Sequence, residues 1–349
     1  MPTQAKGWGT DAADQPLKPM AFERRDLRPD DVAIQISHAG ICHSDLHMAR
    51  NDWGMSRYPM VPGHEIVGTV TDVGAKVSRH KIGDKVAIGC IVDSCKQCAP
   101  CRAGTEQFCE QGMTMTYSAV DKHDGTLTQG GYSTQVVCRD EFVLKLPDSL
   151  DIARSAPLLC AGITTYSPLR KFGVGKDSKV AVVGLGGLGH MGVKLAHAMG
   201  AHVTMVTTSP EKGGDARELG AHDVLLSTDG EAMAAAAGRF DFILDTIPVA
   251  HDLNPYLALL TPNGTMVMVG AIAPLPSIHG GSLIMGNKTL AGSLIGGITE
   301  TQEMLDFCGQ HGVHPDCEFI EMSQVNEAYE RLLKNDVRYR FVIDMARGL

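Results

Sequence analysis

The sequence predicts an α/β protein in which a β-rich, barrel-like domain is joined to a doubly wound parallel sheet. From about residue 30 to 150, short apolar runs alternate with glycine and proline turns, which is typical of a β-rich domain. After about residue 155 the apolar runs alternate with helical patterns, as they do in βαβ units. The 349 residues suffice for two domains, since one domain takes roughly 100–200 residues.

Four runs predict the strands of the β-rich domain: 32–37, 66–74, 85–89 and 133–139. Six runs predict the parallel sheet: 179–184, 202–207, 223–227, 240–245, 265–270 and 290–294. Helical patterns separate these last strands, at 187–199, 211–219, 231–237 and 252–260. Helices of that length provide the crossovers that parallel strands require.

The C-terminal segment follows a different pattern. It contains two helical stretches, 301–310 and 323–334, and one final strand, 338–344. We expect it to add no further βαβ unit and to return to the β-rich domain.

Charge and composition exclude several function classes. The net charge is −9 and basic residues form no cluster beyond pairs such as Arg24-Arg25, so we expect no nucleic-acid partner. Neither a secretory signal nor an apolar run of about 18 residues is found, so we expect a cytoplasmic protein without a membrane partner. In a reducing compartment, the ten cysteines are more often metal ligands than disulfides.

Four cysteines lie within fifteen residues: Cys95, Cys98, Cys101 and Cys109. Thiolates at this spacing can hold one tetrahedral Zn²⁺ and leave no position for a substrate, which predicts a structural zinc. An iron–sulfur cluster is the alternative metal centre, and a disulfide-bonded loop is the alternative without a metal.

Three further segments offer ligands for a catalytic zinc, which needs three protein ligands and an open position. GICHSDLH (40–47) contains Cys42, His43 and His47, VPGHEIVG (61–68) contains His64 and Glu65, and LLCAGITTY (158–166) contains Cys160. Spacing alone does not select these residues from fourteen histidines, because a lone histidine or cysteine more often has a structural role.

A glycine-rich loop directly follows the strand 179–184. Gly184, Gly186 and Gly189 form G-x-G-x-x-G at the start of a helix, the context that makes this motif a dinucleotide-binding signature. Gly184 allows the turn, Gly186 lets the pyrophosphate approach, and Gly189 permits close packing of the helix. The amides at the helix start, including those of Gly187 and Leu188, stabilise the phosphates. The alternative is a glycine-rich turn without a ligand.

The end of the next strand distinguishes NAD from NADP. An acidic residue there would bind the adenine ribose of NAD, but this strand ends in Thr207, Thr208 and Ser209, followed by Lys212. Hydroxyls and a lysine suit a 2′-phosphate, which predicts NADP(H). Glu211 lies in the turn after the strand, so we do not regard it as a ribose ligand.

Taken together, these segments resemble the zinc-containing medium-chain dehydrogenase/reductase superfamily. The similarity is greatest to the branch of cinnamyl alcohol dehydrogenases and bacterial broad-range aldehyde reductases. It also extends to TQGGYS (128–133), AGSLIGG (291–297) and YRFVID (339–344). The resemblance implies a GroES-like catalytic barrel over 1–154 and 296–349 and a Rossmann NADP(H)-binding domain over 155–295.

The resemblance also implies roles for single residues. Cys42, His64 and Cys160 become the catalytic zinc ligands, Glu65 a carboxylate able to exchange with zinc-bound water, and Asp45 the residue that orients the ligand histidine. Ser44 contacts the substrate oxygen, and His47 ends a proton relay. The implied cofactor contacts, besides the glycine loop, Thr208, Ser209 and Lys212, are Thr164, Val269 and Ile295 at the nicotinamide and His43 and Arg340 near the pyrophosphate.

The implied activity is the interconversion of primary alcohols and aldehydes, aromatic and aliphatic, mainly in the direction of aldehyde reduction. Two zinc ions per chain, NADP(H) and a homodimer joined along the sheet edge near 285–296 complete the expectation. The alternatives are an NAD-dependent polyol dehydrogenase and a non-catalytic NADP(H)-binding sensor or zinc-free reductase. Trp53, Met55 and Tyr117 could line the substrate pocket or only pack the barrel, and Cys90, Cys138, Cys308 and Cys317 are interpreted as structural thiols.

Overall fold

The computed structural model describes residues 3–347, and the chain forms two compact units. Unit 1 comprises Met1–Cys160 and Gly296–Leu349, and unit 2 comprises Ala161–Ile295. The chain therefore leaves unit 1 once and returns to it. Among the described residues, no helix combines the length and the apolar character needed to cross a membrane.

Unit 1 consists mainly of strands. Its strands are β1 (Thr3–Gly9), β2 (Lys18–Arg24), β3 (Asp31–Ile41), β4 (Ile66–Val73), β5 (Lys85–Ile88), β6 (Ile91–Asp93), β7 (Thr114–Met115), β8 (Gln135–Arg139), β9 (Leu144–Lys145), β16 (Cys317–Glu321) and β17 (Arg340–Asp344). Its helices are α1 (His43–Ala49), α2 (Ala99–Arg102), α3 (Ile152–Ser155), α10 (Ile298–His311) and α11 (Val325–Leu333). Short 3-10 turns lie at Glu106–Phe108, Asp140–Phe142, Ala156–Leu159 and Met322–Gln324.

A seven-stranded sheet organises unit 1. Its order is β16-β17-β3-β4-β5-β9, with β8 also paired to β3. Alternate side chains of β3, such as Ile34 and Ile36, are fully buried, because successive residues of a strand point to opposite faces. The interior also takes Ile66, Ile88 and Phe341 from neighbouring strands. The four predicted strands of this region therefore occur as β3, β4, β5 and β8, which is the β-rich region that the sequence predicts.

The C-terminal segment differs from its prediction in one respect. Strand β17 pairs antiparallel with β3 and parallel with β16. Helix α11 connects β16 to β17, so the three elements form a βαβ unit. The expectation that the segment adds no further βαβ unit is wrong. The sequence does not indicate strand β16, CEFIE, because it is only five residues long, contains two glutamates and directly follows Pro315-Asp316.

Unit 2 is a parallel sheet flanked by helices. Its strands are β10 (Lys179–Val183), β11 (His202–Thr207), β12 (Asp223–Leu226), β13 (Phe240–Asp245), β14 (Leu260–Met268) and β15 (Thr289–Gly292). Its helices are α4 (Ala161–Lys171), α5 (Gly189–Ala198), α6 (Lys212–Glu218), α7 (Gly230–Ala235), α8 (Asn254–Ala258) and α9 (Gly280–Ile284).

All six strands of unit 2 are parallel, in the order β12-β11-β10-β13-β14-β15. Numbered along the unit, this is 3-2-1-4-5-6, the order of dinucleotide-binding sheets. The α/β fold class is confirmed. The order reverses between β10 and β13, and ligands of such sheets bind outside the carboxyl ends of the strands at this point.

Candidate active site and metal centres

Four ligand-bearing side chains converge at one end of the sheet of unit 1. Cys42, His64, Glu65 and Cys160 are all buried, and their ligand atoms lie within 4.8 Å of one another. Cys42 directly follows β3, and His64 and Glu65 directly precede β4. Because β3 and β4 are antiparallel neighbours with Ala39 opposite Ile66, the end of one and the start of the other meet. Cys160 follows the 3-10 turn Ala156–Leu159, and its Sγ lies 3.9 Å from Cys42 Sγ.

Asp45 fixes the orientation of His64. This aspartate is fully buried in the first turn of α1, and its Oδ1 lies 2.9 Å from His64 Nδ1. A carboxylate only accepts hydrogen bonds, so Nδ1 donates, and in the neutral imidazole Nε2 is then the nitrogen with the lone pair. The same carboxylate accepts the backbone N–H of Cys42 at 2.9 Å, so one side chain positions two members of the cluster.

The carboxylate of Glu65 lies between Arg340 and Gly40. Its Oε1 pairs with the guanidinium of Arg340, which is itself buried on β17. Gly40 provides the space for the carboxylate, since a Cβ at this position would lie 2.0 Å from Glu65 Oε2. That oxygen is buried and has no hydrogen-bond partner. Burial raises the pKa of Glu65 to about 8, although the charge of Arg340 acts in the opposite direction.

The donor set fits a zinc ion. The cluster consists of two thiols, one imidazole and one carboxylate, and tetrahedral zinc takes sulfur, nitrogen and oxygen ligands. The unpartnered Oε2 of Glu65 is an acceptor for which this arrangement provides no protein donor. The hydrogen bond from His64 to Asp45 is the carboxylate–histidine arrangement usual around bound metals.

Helix α1 carries two of the predicted site residues, and the first of them, Ser44, lies beside this cluster. Ser44 Oγ is 3.6 Å from Cys42 Sγ. His47 follows three residues later, on the same helix face, and its Nδ1 lies 2.7 Å from Asp52 Oδ2. The ring of His47 is also 5.3 Å from that of Trp53. Asp52 was not predicted as a site residue, although its position five residues after a candidate relay histidine was visible in the sequence.

The four-cysteine segment forms a second candidate metal centre in unit 1. The Sγ atoms of Cys95, Cys98, Cys101 and Cys109 lie within 4.8 Å of one another. Cys95 Sγ accepts the backbone N–H groups of Gln97 and Cys98 at 3.5 and 3.4 Å. These donors lower the pKa of Cys95 to about 6. All ten cysteines are free, so the alternative of a disulfide-bonded loop is not supported.

In unit 2, the glycine loop lies at the carboxyl end of β10. Gly184 has φ +90°, a conformation that non-glycine residues rarely adopt. A Cβ at Gly189 would lie 1.8 Å from Gly184 O, whereas a Cβ at Gly186 would have no neighbour within 4 Å. Gly187 and Leu188 complete the loop, and Leu188 is the N-cap of α5. The loop is therefore closed where the helix packs and open where a ligand would approach.

The residues predicted to bind a 2′-phosphate lie after β11, the neighbour of β10. Thr208 is exposed and Ser209 is half-buried. Lys212 begins α6, and its Nζ lies 3.3 Å from Leu185 O in the glycine loop. Glu211 is exposed. The structure thus brings the ammonium group of Lys212 to the glycine loop.

The remaining predicted cofactor contacts are distributed over both units. In unit 2, Thr164 is buried in α4, Val269 directly follows β14, and Ile295 has φ +37°. A β-branched residue in this region is unusual and often marks a functional position. In unit 1, His43 begins α1, and Arg340 pairs with Glu65, a contact across the chain that no sequence pattern indicates.

The residues with open interpretations differ in their surroundings. Tyr117 is buried against Met48 and Met60, and its ring lies 6.0 Å from that of His64. Trp53 and Met55 are exposed by 37% and 51%. Burial raises the pKa values of three of the four remaining thiols, as expected for unreactive structural cysteines: Cys138, Cys308 and Cys317.

Comparison with known proteins identifies two family domains in the chain. Residues 28–148 match the alcohol dehydrogenase GroES-like domain, and residues 187–310 match the zinc-binding dehydrogenase domain. Aldehyde reductase YahK of Escherichia coli (strain K12) is 52% identical over 341 residues, which cover 97% of each chain.

Two solved structures have the same fold along the entire chain. A cinnamyl alcohol dehydrogenase from Sorghum bicolor has a TM-score of 0.96 and 46% identity, with 99% of each chain covered. The CAD from Helicobacter pylori, complexed with NADP(H), has a TM-score of 0.93 and 42% identity, with both chains fully covered. The chain belongs to the zinc-containing alcohol dehydrogenases of the medium-chain dehydrogenase/reductase superfamily.

Proposed function

We propose that this protein is a zinc-dependent oxidoreductase that interconverts primary alcohols and aldehydes with NADP(H), mainly by reducing aldehydes. The observation that carries the proposal is the buried cluster of Cys42, His64, Glu65 and Cys160 in a chain that also contains a glycine loop on a dinucleotide-binding sheet. The relatives support the class of reaction, since one is named an aldehyde reductase and another is a cinnamyl alcohol dehydrogenase.

Cys42, His64 and Cys160 hold the catalytic zinc, and Glu65 lies beside it as an exchangeable carboxylate. A zinc ion bound there supplies Lewis acidity toward the oxygen of the substrate. Asp45 keeps His64 in the tautomer that presents Nε2. The ion pair with Arg340 restrains one oxygen of Glu65 and leaves the other free to approach the cluster.

Ser44 and His47 transfer the proton of the substrate hydroxyl group. The serine hydroxyl beside Cys42 is placed to hydrogen-bond the substrate oxygen and to donate or accept its proton. His47 is half-exposed and hydrogen-bonded to Asp52, so it can exchange a proton with solvent. The hydrogen bond to Asp52 also fixes the orientation of the imidazole, as a carboxylate partner does for other relay histidines.

Unit 2 binds the cofactor, whose nicotinamide supplies or accepts the hydride. The glycine loop and the start of α5 receive the pyrophosphate, and Thr208, Ser209 and Lys212 receive the 2′-phosphate. Thr164, Val269 and Ile295 contact the nicotinamide, and His43 and Arg340 contribute near the pyrophosphate. We assign the catalytic domain to 1–154 and 296–349 and the cofactor domain to 155–295.

The second metal centre, formed by Cys95, Cys98, Cys101 and Cys109, is structural. Four thiolates complete the coordination of zinc. The ten free cysteines suit a reducing compartment, and we infer the cytoplasm as the location.

A homodimer through the edge of the unit 2 sheet is the proposed assembly. Strand β15 is the terminal strand of that sheet, and apolar side chains near it are exposed, Ile284 by 79%, Met285 by 89% and Leu294 by 48%. The open edge of a terminal strand, with exposed apolar side chains beside it, is a surface that a second copy can cover.

One experiment tests the proposed activity. The zinc-loaded protein is assayed with benzaldehyde and cinnamaldehyde, each with NADPH and with NADH, and its metal content is measured. We expect two zinc ions per chain, turnover with NADPH, and a preference for NADPH over NADH. Cys42→Ser should lose one zinc and the activity, whereas the matched Cys308→Ser, which changes a buried thiol in α10, should lose neither. A fully metallated protein that turns over neither aldehyde would contradict the proposal.

A further inference from the structure

The segment Gln129–Ser133 has no role in the proposed chemistry, yet it is bound to the residues that precede His64. Gly130 donates its backbone N–H to Val61 O at 2.7 Å, and Tyr132 donates its own to Pro62 O at 2.9 Å. Tyr132 O in turn accepts the N–H of Trp8 at 2.9 Å. The backbone of Tyr132 is therefore held on both sides.

A buried arginine holds the same segment in place. Arg24 is almost fully buried, and its guanidinium donates to the carbonyl oxygens of Gln129, Gly130 and Gln135 and to Ser133 Oγ. Burial lowers the pKa of Arg24 to about 9. An arginine placed among backbone carbonyls in this way fixes a loop, since its planar fork needs several acceptors in defined positions.

The side chain of Tyr132 extends from this segment to the centre of the site. It is 0% exposed, and its hydroxyl lies 3.1 Å from Asp45 Oδ2. The approach is close enough to constrain the neighbouring residue: a Cβ at Gly63, where φ is +107°, would lie 2.7 Å from the ring of Tyr132. The glycine that precedes His64 is thus required by the ring of Tyr132 as well as by its own backbone conformation.

Asp45 accepts hydrogen bonds from at least four groups, and the hydroxyl of Tyr132 is one of them. The N–H of Gly63 and Nδ1 of His64 donate to Oδ1, and the N–H of Cys42 and the hydroxyl of Tyr132 donate to Oδ2. Burial, and then the charge of Asp45, raise the pKa of Tyr132 well above its ordinary range, so the hydroxyl remains a donor. Without it, Oδ2 would lose one of its donors, and the carboxylate could rotate away from His64.

We propose that Tyr132 is a positioning residue of the catalytic zinc centre, whose hydroxyl locks the Asp45 carboxylate and thereby the orientation of His64. The inference rests on the proposed function, since it assumes that His64 holds a metal. Partners that contact a ligand directly, as Asp45 does, commonly contribute about 10- to 100-fold in metal affinity or activity, and Tyr132, one contact further out, should contribute at the lower end of that range. Tyr132 acts through Asp45 and does not itself contact the reacting atoms.

The test compares Tyr132→Phe with a matched control in the zinc-loaded enzyme. The phenylalanine keeps the ring and both backbone hydrogen bonds, so a thermal unfolding midpoint near that of the unaltered protein is expected. The control is Tyr58→Phe in the same unit, whose hydroxyl donates to Ala49 O at 2.8 Å and does not contact Asp45. For each protein we would measure the rate at which a chelator, pyridine-2,6-dicarboxylate, removes zinc, and the visible spectrum after catalytic zinc is replaced by Co²⁺.

We expect Tyr132→Phe to release one zinc per chain about tenfold faster and to shift the cobalt spectrum, while the zinc of the four-cysteine centre stays bound. Tyr58→Phe should change neither quantity. In an Asp45→Asn background, Tyr132→Phe should have little additional effect, because residues that act through one another are not additive.

The outcomes separate the two proposals. Zinc release and a cobalt spectrum unchanged by Tyr132→Phe, or a full additional effect in the Asp45→Asn background, would overturn the role of Tyr132 alone. An unaltered protein that binds no metal at Cys42, His64 and Cys160 would overturn the proposed function itself.

Discussion

Substitution by alanine should affect two glycines of the same loop differently, lowering stability at Gly189 and cofactor affinity at Gly186. At Gly189, a Cβ would lie 1.8 Å from Gly184 O and 2.9 Å from its carbonyl carbon. Both are backbone atoms, so no side chain can move aside, and helix α5 must shift away from the end of β10. At Gly186, a Cβ would meet no atom within 4 Å, so the protein itself offers no resistance. The loop therefore contains one glycine that packing requires, Gly189, and one that packing does not require, Gly186.

The expected magnitudes follow from this contrast. Overpacking of a well-packed site costs about 1–3 kcal/mol, and a contact this short belongs at the upper end, so we expect Gly189→Ala to lower the free energy of unfolding by about 3 kcal/mol. Gly186→Ala should stay within roughly 0.5 kcal/mol of the unaltered protein. If the pyrophosphate occupies the open space at Gly186, the same methyl group then opposes the cofactor, and a cost of about 1–3 kcal/mol weakens NADPH binding roughly 5- to 150-fold.

Urea unfolding and fluorescence titration with NADPH measure the two effects separately. Each variant is the control for the other, because both add one methyl group to the same loop. Equal stability of the Gly189→Ala variant and the unaltered protein would refute the steric argument. Undiminished NADPH affinity of Gly186→Ala would show that the cofactor does not approach the loop at that point.

Three further outcomes are expected. Lys212→Ala should raise the KM for NADPH roughly tenfold or more, since a hydrogen bond to a charged group contributes about 1.5–3 kcal/mol. The KM for NADH should not change. Steady-state kinetics with both cofactors check this, and equal effects on both KM values would contradict a 2′-phosphate role. Cys95→Ser should remove one zinc and lower the unfolding temperature, because binding energy at a structural zinc site is folding energy. Metal analysis and calorimetry measure the two effects, and a variant that keeps both zinc ions would contradict the prediction. Met285→Glu should weaken the dimer without affecting the fold, because the side chain is 89% exposed; light scattering over a dilution series measures this, and an unchanged assembly would exclude that edge.

Much of unit 2 could be predicted from the sequence because its determinants are local. The runs at 179–184, 202–207 and 240–245 consist mostly of buried apolar residues and precede helical patterns, and they correspond to β10, β11 and β13 within one residue. The exception is β14, which begins at Leu260 rather than at 265. The intervening Thr-Pro-Asn-Gly looks like a turn, and Asn263 does have φ +64°, but the strand continues through it.

Unit 1 was harder to predict because its strands are irregular and its partners are distant. Strand β4 pairs with β3 through two register shifts, and β17 reaches β3 from the far end of the chain. The hairpin of β1 (Thr3–Gly9) and β2 (Lys18–Arg24) was not predicted, since its strands contain glycine, lysine and arginine and have few buried positions. Pairing of this kind depends on tertiary packing more than on local pattern.

The candidate site shows the same distinction between local and distant determinants. The four-cysteine centre could be predicted from spacing alone, because all its ligands lie in one short segment. Cys42, His64 and Cys160 could be selected only through resemblance, and the structure supplies the physical reason that they meet. The end of β3 and the start of β4 are neighbours, so residues 22 positions apart become adjacent without any local signal.

Among the contacts around those ligands, resemblance predicted that of Asp45 with His64, but the residues that hold the carboxylates of Asp45 and Glu65 could not be predicted. Arg340 reaches Glu65 across 275 residues, and Tyr132 reaches Asp45 across 87. No spacing in the sequence indicates either pair. The first depends on β17 lying beside β3, and the second depends on the loop of Tyr132 lying beside Gly63. Yet these contacts set the orientation of the carboxylates, and orientation decides which oxygen or nitrogen faces a metal. A relative that kept Cys42, His64 and Cys160 but lost the hydroxyl at 132 should therefore still bind zinc, with a faster exchange rate than this protein.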